Sequence, residues 1–100
     1  FNGLLQTQSY HKNEKHGRYL YISISEDRNR LYNFLKKKGI ECKIFYSPLA
    51  CDAPIFKSKH KGQVPISRKL LNKSISLPLH ENLKMREVDY IIKMVKNFFN

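Results

Sequence analysis

The sequence predicts an α/β (α+β) two-layer sandwich, in which a small, mostly antiparallel three-stranded sheet carries helices on one face. Three observations support this class. The chain has 100 residues, the size of one domain. Apolar residues make up 41% of it, which is enough for one core. Alternating and helix-periodic stretches follow one another in the order strand, helix, strand, helix, strand, helix.

Residues 1–18 precede the domain in this interpretation. Residues 1–6 are interpreted as the tail of a helix that begins upstream. Residues 7–18 are polar and contain Gly17, which is typical of a loop. The chain therefore divides into a lead-in over residues 1–18 and one domain over residues 19–100.

The first predicted strand covers residues 19–25, where apolar and polar side chains alternate. We expect its apolar face to lie under the helices, because a two-layer sandwich buries one face of its sheet. The two faces are Leu20, Ile22 and Ile24 on one side and Tyr19, Tyr21 and Ser23 on the other.

A helix follows this strand and ends before Gly39. Ser25 is the predicted N-cap, and the two acidic residues after it suit the positive end of the helix. Leu31, Phe34 and Leu35 have the i, i+3, i+4 spacing of an apolar stripe. Three lysines suit the negative end, and Gly39 can adopt the left-handed conformation that stops a helix.

The second predicted strand covers residues 40–46, with Cys42, Ile44 and Tyr46 on one face. Pro48 ends it, because proline has no amide hydrogen for a strand ladder.

Two helical segments follow this strand. Asp52 is the predicted cap of a single turn, and residues 57–62 form a basic loop. Pro65 fits the first turn of a helix that runs to about residue 72. The side chains that we expect to point inward from this helix are Ile66, Leu70 and Leu71.

The last strand and the last helix complete the order. Ile75, Leu77 and Leu79 alternate as a short strand, which Pro78 ends or places at an edge. The final helix runs from about residue 85 to residue 99. Its apolar stripe is Val88, Ile91, Ile92, Val95, Phe98 and Phe99.

Charge and composition exclude several classes of function. The net charge of +11 favours anionic partners without choosing among them. We expect no membrane span and no signal peptide, and therefore a cytoplasmic protein. Two cysteines are too few for a disulfide scaffold and are expected as free thiols. The four histidines have no metal-ligand spacing, and the isolated glycines form no phosphate-binding loop.

A series of short matches along the chain resembles the DegT/DnrJ/StrS-type sugar aminotransferases in residue type, order and spacing. It extends from about residue 19 to residue 99. The matches are Tyr19-Leu20-Tyr21-Ile22, Arg28, Leu31, Leu35, Lys38-Gly39-Ile40, Tyr46, Pro54, Pro65, Arg68, Leu70, Ser76-Leu77-Pro78-Leu79-His80, Leu83 and Asp89-Tyr90-Ile91.

The resemblance implies the C-terminal small domain of a pyridoxal-phosphate enzyme with the aspartate-aminotransferase fold. Such enzymes are cytosolic homodimers that move an amino group, usually from glutamate, onto a nucleotide-linked keto sugar, as in polysaccharide biosynthesis. Their Schiff-base lysine lies in a larger N-terminal domain, in a Ser-Phe-x-x-x-Lys-like stretch that this chain lacks. We therefore expect no catalytic residue, cofactor or metal on this chain, and no transamination by it alone.

The resemblance also implies substrate-binding residues. The family loop Tyr-Pro-x-Pro-Leu-His-Leu-Gln-Pro aligns with residues 46–54, so that Tyr46, Ser47 and Cys51 are expected at the sugar, with Cys51 in place of the histidine. His80 follows the last strand and is expected to face the substrate. Because Cys51 and other residues depart from the family pattern, the resemblance does not predict which sugar is bound.

A freestanding nucleic-acid-binding module is the alternative function. The charge and an aromatic sheet face of Tyr19, Tyr21 and Phe45 favour it, because basic sheets with exposed rings stack bases. The glycine-flanked aromatic signature of the commonest such module is missing, so we expect nucleic acid to be the less favoured partner.

Overall fold

The structure is a computed structural model that describes residues 4–45, 48–58 and 62–100. It has three short strands, four α-helices and one 3-10 turn in these ranges. They are β1 (Gln6–Thr7), β2 (Tyr21–Ile24), α1 (Arg28–Lys37), the 3-10 turn (Ala50–Asp52), α2 (Pro54–Lys57), α3 (Pro65–Lys73), β3 (Ser74–Leu77) and α4 (Met85–Phe99).

The three strands form an antiparallel sheet in the order β1-β2-β3, which confirms the predicted α+β class. Helices α1 and α4 supply the apolar layer on one face of this sheet. The core that they share with it consists of Leu5, Leu31, Leu35, Ile40, Cys42, Ile75, Leu77, Ile91 and Val95.

The face of β2 that meets the core differs from the prediction. Ser23 is fully buried and pairs with the fully buried Ile75, and Tyr21 pairs with Leu77. Directly paired residues of antiparallel strands share a face, so Ser23 and Tyr21 lie on the core side of β2, where Ser23 is buried and Tyr21 is still 36% exposed. The isoleucine face, predicted to be covered, therefore lies on the opposite side. Ile75 and Leu77 of β3 are more apolar than their partners Ser23 and Tyr21 in β2, so the apolar face of β3 determines which face of the sheet meets the helices.

The second strand was predicted over residues 40–46, and its described part, residues 40–45, pairs with β3 through one bridge, between Lys43 and Ser76. Their amides donate to each other's carbonyls at 3.0 and 2.7 Å. The next hydrogen-bonded pairs of such a ladder would use Pro78 and Ser74. Pro78 has no amide hydrogen, and the Ser74 carbonyl already accepts a hydrogen bond from Arg28 at 3.0 Å. Pro78 thus cannot donate to a longer ladder, and the Arg28 side chain competes for the Ser74 carbonyl.

The lead-in also differs from the prediction. Gln6–Thr7 forms the edge strand β1, paired with Ile24 and Ser23, where we predicted the end of a helix and the start of a loop. Leu5 is buried in the core and anchors this strand. Residues 8–18 contain no regular element, as predicted.

Helix α1 ends as the sequence predicts. Gly39 has a φ of +80°. Its amide donates to the Lys36 carbonyl at 3.1 Å, and the Ile40 amide donates to the Leu35 carbonyl at 3.0 Å. This is the Schellman pattern, and it places Ile40 in the core. The start differs: Ser25 accepts the Asp27 amide at 3.1 Å in a turn before the helix, which begins three residues after the predicted cap.

Helix α4 matches the predicted range and lies antiparallel to α1. The Phe34 and Phe98 rings are 5.4 Å apart at one end of the pair. At the other end the Tyr90 hydroxyl donates to the Lys38 carbonyl at 2.8 Å. Ile91 and Val95 are buried, as their stripe predicts.

Helix α3 spans the predicted residues, but its apolar stripe is not covered. Ile66 is 74% exposed and Leu70 is 47% exposed, whereas Leu71 is half-buried. Helix α3 is attached to α1 at its C-terminal end, where the Arg28 side chain donates to the Leu71 carbonyl at 3.2 Å. The prediction that all three apolar residues point into the core is therefore wrong.

No helix in the described part of the chain combines the length and apolar content that a membrane span requires.

Candidate functional site

A cavity of about 690 Å³ opens where β3 ends. The segment after α1, the turn after β3 and the first turns of α4 surround it. Its volume falls in the range of small-molecule sites, roughly 300–1,000 Å³. Its apolar lining comes mainly from Phe45, Leu77, Leu79, Leu83 and Ile91.

His80 lies at this cavity with an exposed side chain. Pro78 ends β3, so the chain leaves the sheet there. The Leu83 amide donates to the His80 carbonyl at 3.2 Å, which closes a turn leading into α4. The imidazole is thus presented at the mouth of the cavity by a turn rather than by a strand.

The charged side chains around this cavity differ in whether they have a partner. Lys43 Nζ lies 3.2 Å from Glu41 Oε1, so this pair is neutral as a unit. Glu87 accepts the Lys84 amide at 3.0 Å and caps α4. Arg86 also lines the cavity and forms no ion pair with another described residue. The cavity therefore has an apolar floor, and its charged lining includes the Arg86 guanidinium, which has no ion-pair partner among the described residues, and the Glu87 carboxylate. An anionic group of a ligand can pair with Arg86.

Cys51 occupies the 3-10 turn and is half-buried. Its Sγ lies 3.9 Å from Asp52 Oδ1. We predicted Asp52 as a helix cap, but its carboxylate instead binds the Arg68 guanidinium through both nitrogens, with Nη2 3.2 Å from Oδ1. This partner raises the pKa of Arg68 above its usual value. The pair ties the turn that carries Cys51 to α3.

The four predicted substrate residues are not all placed at one site. His80 lines the cavity beside β3, and Cys51 is absent from that lining among the described residues. Tyr46 and Ser47 lie outside the described residues, so the structure describes only residues 48–51 of the loop from Tyr46 to Cys51. The role of these four residues stays a prediction.

The sequence analysis did not identify Arg86. A signal was available, because Arg86 is a cation in the first turn of α4, where the helix dipole favours anions. It also did not identify the Glu87 cap, whose signal is an acidic residue three positions after the N-cap Lys84. The pairing of Asp52 with Arg68 joins residues sixteen positions apart and leaves no local pattern.

The two cysteines are both free thiols, as predicted, and differ in environment. Cys42 is in the core, and burial raises the pKa of its thiol. Among residues 4–45, 48–58 and 62–100, no three His, Cys, Asp or Glu side chains converge in a way that could hold a metal ion.

Comparison with known proteins identifies relatives along nearly the whole chain. The model of the DegT/DnrJ/EryC1/StrS aminotransferase family matches residues 2–96. The pleiotropic regulatory protein of Geobacillus stearothermophilus is 29% identical in an alignment of 92 residues that covers 86% of this chain and 25% of that protein.

Solved structures give the same result. A DegT DnrJ EryC1 StrS aminotransferase from Brucella abortus has a TM-score of 0.87 and 25% identity, over 97% of this chain and 26% of that one. The putative sugar aminotransferase Spr1654 from Streptococcus pneumoniae, in its PMP-form, has a TM-score of 0.80 and 28% identity, over 94% and 25%. DesV of S. venezuelae, in complex with a ketimine intermediate, shares the fold at a TM-score of 0.88 and 19% identity, over 96% and 27%.

The chain therefore spans about a quarter of the length of these relatives. The family match extends over almost all of its residues and agrees with the superposition of its fold. On this evidence the chain belongs to the DegT/DnrJ/EryC1/StrS aminotransferase family.

Proposed function

We propose that this chain is the C-terminal small domain of a pyridoxal-phosphate-dependent sugar aminotransferase. The enzyme would transfer an amino group from glutamate to a nucleotide-linked keto sugar, in the cytoplasm and as a homodimer. One observation carries the proposal: a family match over residues 2–96 in a chain that spans a quarter of its relatives. In this proposal the segment supplies one wall of a substrate cleft, and a larger domain supplies the remaining walls.

The described residues do not fit the cofactor's covalent site. A Schiff-base lysine needs an enclosed amine that is free to attack an aldehyde. Lys43 is the lysine among the described residues that line the large cavity, and it is exposed and ion-paired with Glu41. Pyridoxal phosphate is accordingly assigned to the larger domain, and no step of the reaction is assigned to a lysine of this chain.

The role of this chain is to bind and orient the substrate. His80 can hydrogen-bond a sugar hydroxyl at the mouth of the cavity, and Arg86 can pair with a phosphate of the nucleotide. Tyr46, Ser47 and Cys51 would approach the sugar from the loop tied to α3 through Asp52. A thiol at position 51 is a poorer hydrogen-bond partner than an imidazole, which favours a sugar with an apolar group there.

A chimeric enzyme tests this proposal. The matching quarter of the S. pneumoniae relative is replaced by these 100 residues, and the purified holoenzyme is mixed with glutamate. We expect the visible spectrum to change as the cofactor accepts the amino group, and His80→Ala to raise the KM for a nucleotide-linked keto sugar. The 100-residue chain alone is the control and should leave the spectrum of added cofactor unchanged.

Two results would contradict the proposal. One is a folded chimera with bound cofactor that does not react with glutamate or any keto sugar. The other is a 100-residue chain that transfers amino groups unaided.

The alternative nucleic-acid module lacks its platform in this structure. Tyr21 pairs with Leu77 on the core side of β2 and is 36% exposed, whereas Phe45 lines the large cavity, whose lining includes neither Tyr21 nor Tyr19. Tyr19 is 81% exposed. The three rings therefore do not form one open sheet face on which bases could stack, and the proposal of an aminotransferase domain stands alone.

A further inference from the structure

Arg18 has an unusual backbone conformation. Its φ is +56°, in the left-handed region that residues other than glycine rarely adopt. The neighbouring Gly17 could adopt this conformation without strain, but the arginine adopts it instead. Strained backbone persists only where the surrounding contacts enforce it, and it is concentrated at ligand and active sites. Arg18 therefore marks a candidate site in the segment that precedes β2.

Two hydrogen bonds hold this segment in place. The Arg18 amide donates to His16 Nδ1 at 2.8 Å, so Nδ1 carries no hydrogen. The neutral imidazole then carries its hydrogen on Nε2, which lies 3.1 Å from Gln8 Oε1. Because Gln8 accepts through its oxygen, its amide nitrogen remains a donor. The Tyr10 ring also contacts His16 edge-on, with 5.6 Å between the ring centroids.

The same side chains line a pocket of about 160 Å³ between this segment, β1 and β2. We call it the Arg18 pocket. It is smaller than the roughly 300–1,000 Å³ of most small-molecule sites, so it suits a molecule of few atoms. Its apolar wall is Leu20, Ile22 and Leu79. Leu20 and Leu79 also line the cavity beside His80, so the two cavities share a wall.

The charge of this pocket comes from Arg18. Its guanidinium stays protonated at any physiological pH, and it forms no ion pair with another residue in the ranges 4–45, 48–58 and 62–100. No described aspartate or glutamate lines the pocket. Gln8 and Tyr10 add neutral hydrogen-bond donors. One cation, neutral donors and an apolar wall are complementary to a single carboxylate on a short apolar chain.

We infer that the Arg18 pocket binds a small monocarboxylate with a short aliphatic chain. The guanidinium of Arg18 pairs with the carboxylate, Gln8 and Tyr10 donate to the same group, and the aliphatic chain packs on the apolar wall. A dianionic phosphate is a poorer ligand, because one arginine leaves a negative charge unpaired and the apolar wall has nothing to contact. The inference is independent of the proposed function.

Titration of the 100-residue chain with isovalerate tests the inference. We expect the backbone amide signals of Gln8 and Arg18 to shift in nitrogen–proton correlation spectra, with a dissociation constant on the order of 1 mM for so small a ligand. Isovaleramide has the same chain without the charge, and inorganic phosphate has charge without the chain. Both should bind about tenfold more weakly or less.

Arg18→Gly separates binding from structure. Glycine adopts a φ of +56° without strain, so the melting temperature should not fall. The affinity for isovalerate should fall about tenfold or more, because a charge-assisted hydrogen bond is lost. A purely structural role of the Arg18 side chain predicts the opposite, a lower melting temperature and no specific loss of isovalerate binding. Arg30→Gln is the matched control, since it removes the same charge from α1, outside the pocket.

The chimeric holoenzyme described above gives a second measurement that does not depend on the folding of the isolated chain. Saturation-transfer NMR on isovalerate compares the unsubstituted chimera with its Arg18→Gly variant. We expect the transfer from protein to isovalerate to be largely lost in the variant and kept in the Arg30→Gln control.

Each outcome decides the inference. It is supported if isovalerate binds more tightly than both comparison ligands and Arg18→Gly alone weakens it. It is overturned if the Arg18 and Arg30 variants bind isovalerate alike, or if isovaleramide or phosphate binds as tightly as isovalerate. It is also overturned if the chimera shows no transfer that depends on Arg18, because the pocket is then closed in the longer protein.

Discussion

Arg28 is the side chain whose removal most directly tests how this domain is held together. It is half-buried in the first turn of α1 and donates to the carbonyls of Leu71 and Ser74. The Leu71 carbonyl also accepts the Ser74 hydroxyl at 3.3 Å, so it keeps a partner when Arg28 is removed. The Ser74 carbonyl, in a residue that is 8% exposed, would lose the arginine.

The magnitude follows from these two hydrogen bonds. A hydrogen bond from a charged donor contributes about 1.5–3 kcal/mol when buried. Partial exposure of Arg28 reduces each to about 1 kcal/mol, so Arg28→Ala should lower the free energy of unfolding by about 2 kcal/mol. With an m-value of about 1.5 kcal/mol/M, the urea midpoint should fall by about 1.3 M.

Arg30→Ala is the matched control. Arg30 lies two residues further along α1, and its side chain is 77% exposed. It pairs with Asp27 at 3.3 Å on the surface, where such a pair contributes about 0.5 kcal/mol or less. Urea unfolding followed by circular dichroism compares the two variants. Equal midpoints for Arg28→Ala and Arg30→Ala would refute the claim that Arg28 joins α1 to the α3–β3 junction.

Two further predictions concern the end of α1 and the core thiol. Gly39→Ala should lower the free energy of unfolding by about 1–2 kcal/mol, because φ is +80° and an L side chain is strained there. Thermal unfolding measures this loss, with Gly17→Ala as the control because Gly17 has open space around it. Equal losses of stability in the two variants would contradict the prediction. Burial raises the pKa of Cys42 above 9.0, so its contribution to stability is complete below pH 9.0 and is lost as the pH rises through the folded value. Denaturant titrations should therefore show a steeper alkaline loss for the natural chain than for Cys42→Ala, and parallel curves would refute the assignment. With an alkylating reagent, half-buried Cys51 should react before Cys42.

Local signals in the sequence were sufficient for the end of α1, the start of α3 and the range of α4, but not for the start of α1. Gly39 after three lysines specified where α1 stops, and Pro65 specified where α3 starts. The long stripe of α4 specified its range, because one helix face carries nearly all of its apolar residues. These features depend only on residues within a few positions of one another.

Non-local contacts decided what the sequence did not predict. Over the described residues 40–45 the predicted strand is reduced to one bridge, because Pro78 cannot donate to it and Arg28 already binds the Ser74 carbonyl. The short β1 formed because Leu5 is buried in the core. No periodic pattern in the sequence predicts the burial of Leu5. At the candidate site, the position of His80 followed from Pro78, whereas the Asp52–Arg68 pair and the place of Arg86 beside the cavity depend on the fold.

Two of the incorrect predictions have one physical cause. The isoleucine face of β2 and the apolar stripe of α3 were both expected in the core of this domain, and both line or adjoin a concave surface of about 560 Å³ outside that core instead. An apolar pattern records every surface that a chain buries in the complete protein, including surfaces buried against other parts of it. In a domain that folds alone, the pattern and the core should coincide. Here the two separate at one surface, where apolar side chains of β2 and α3 lie outside the core of the described residues.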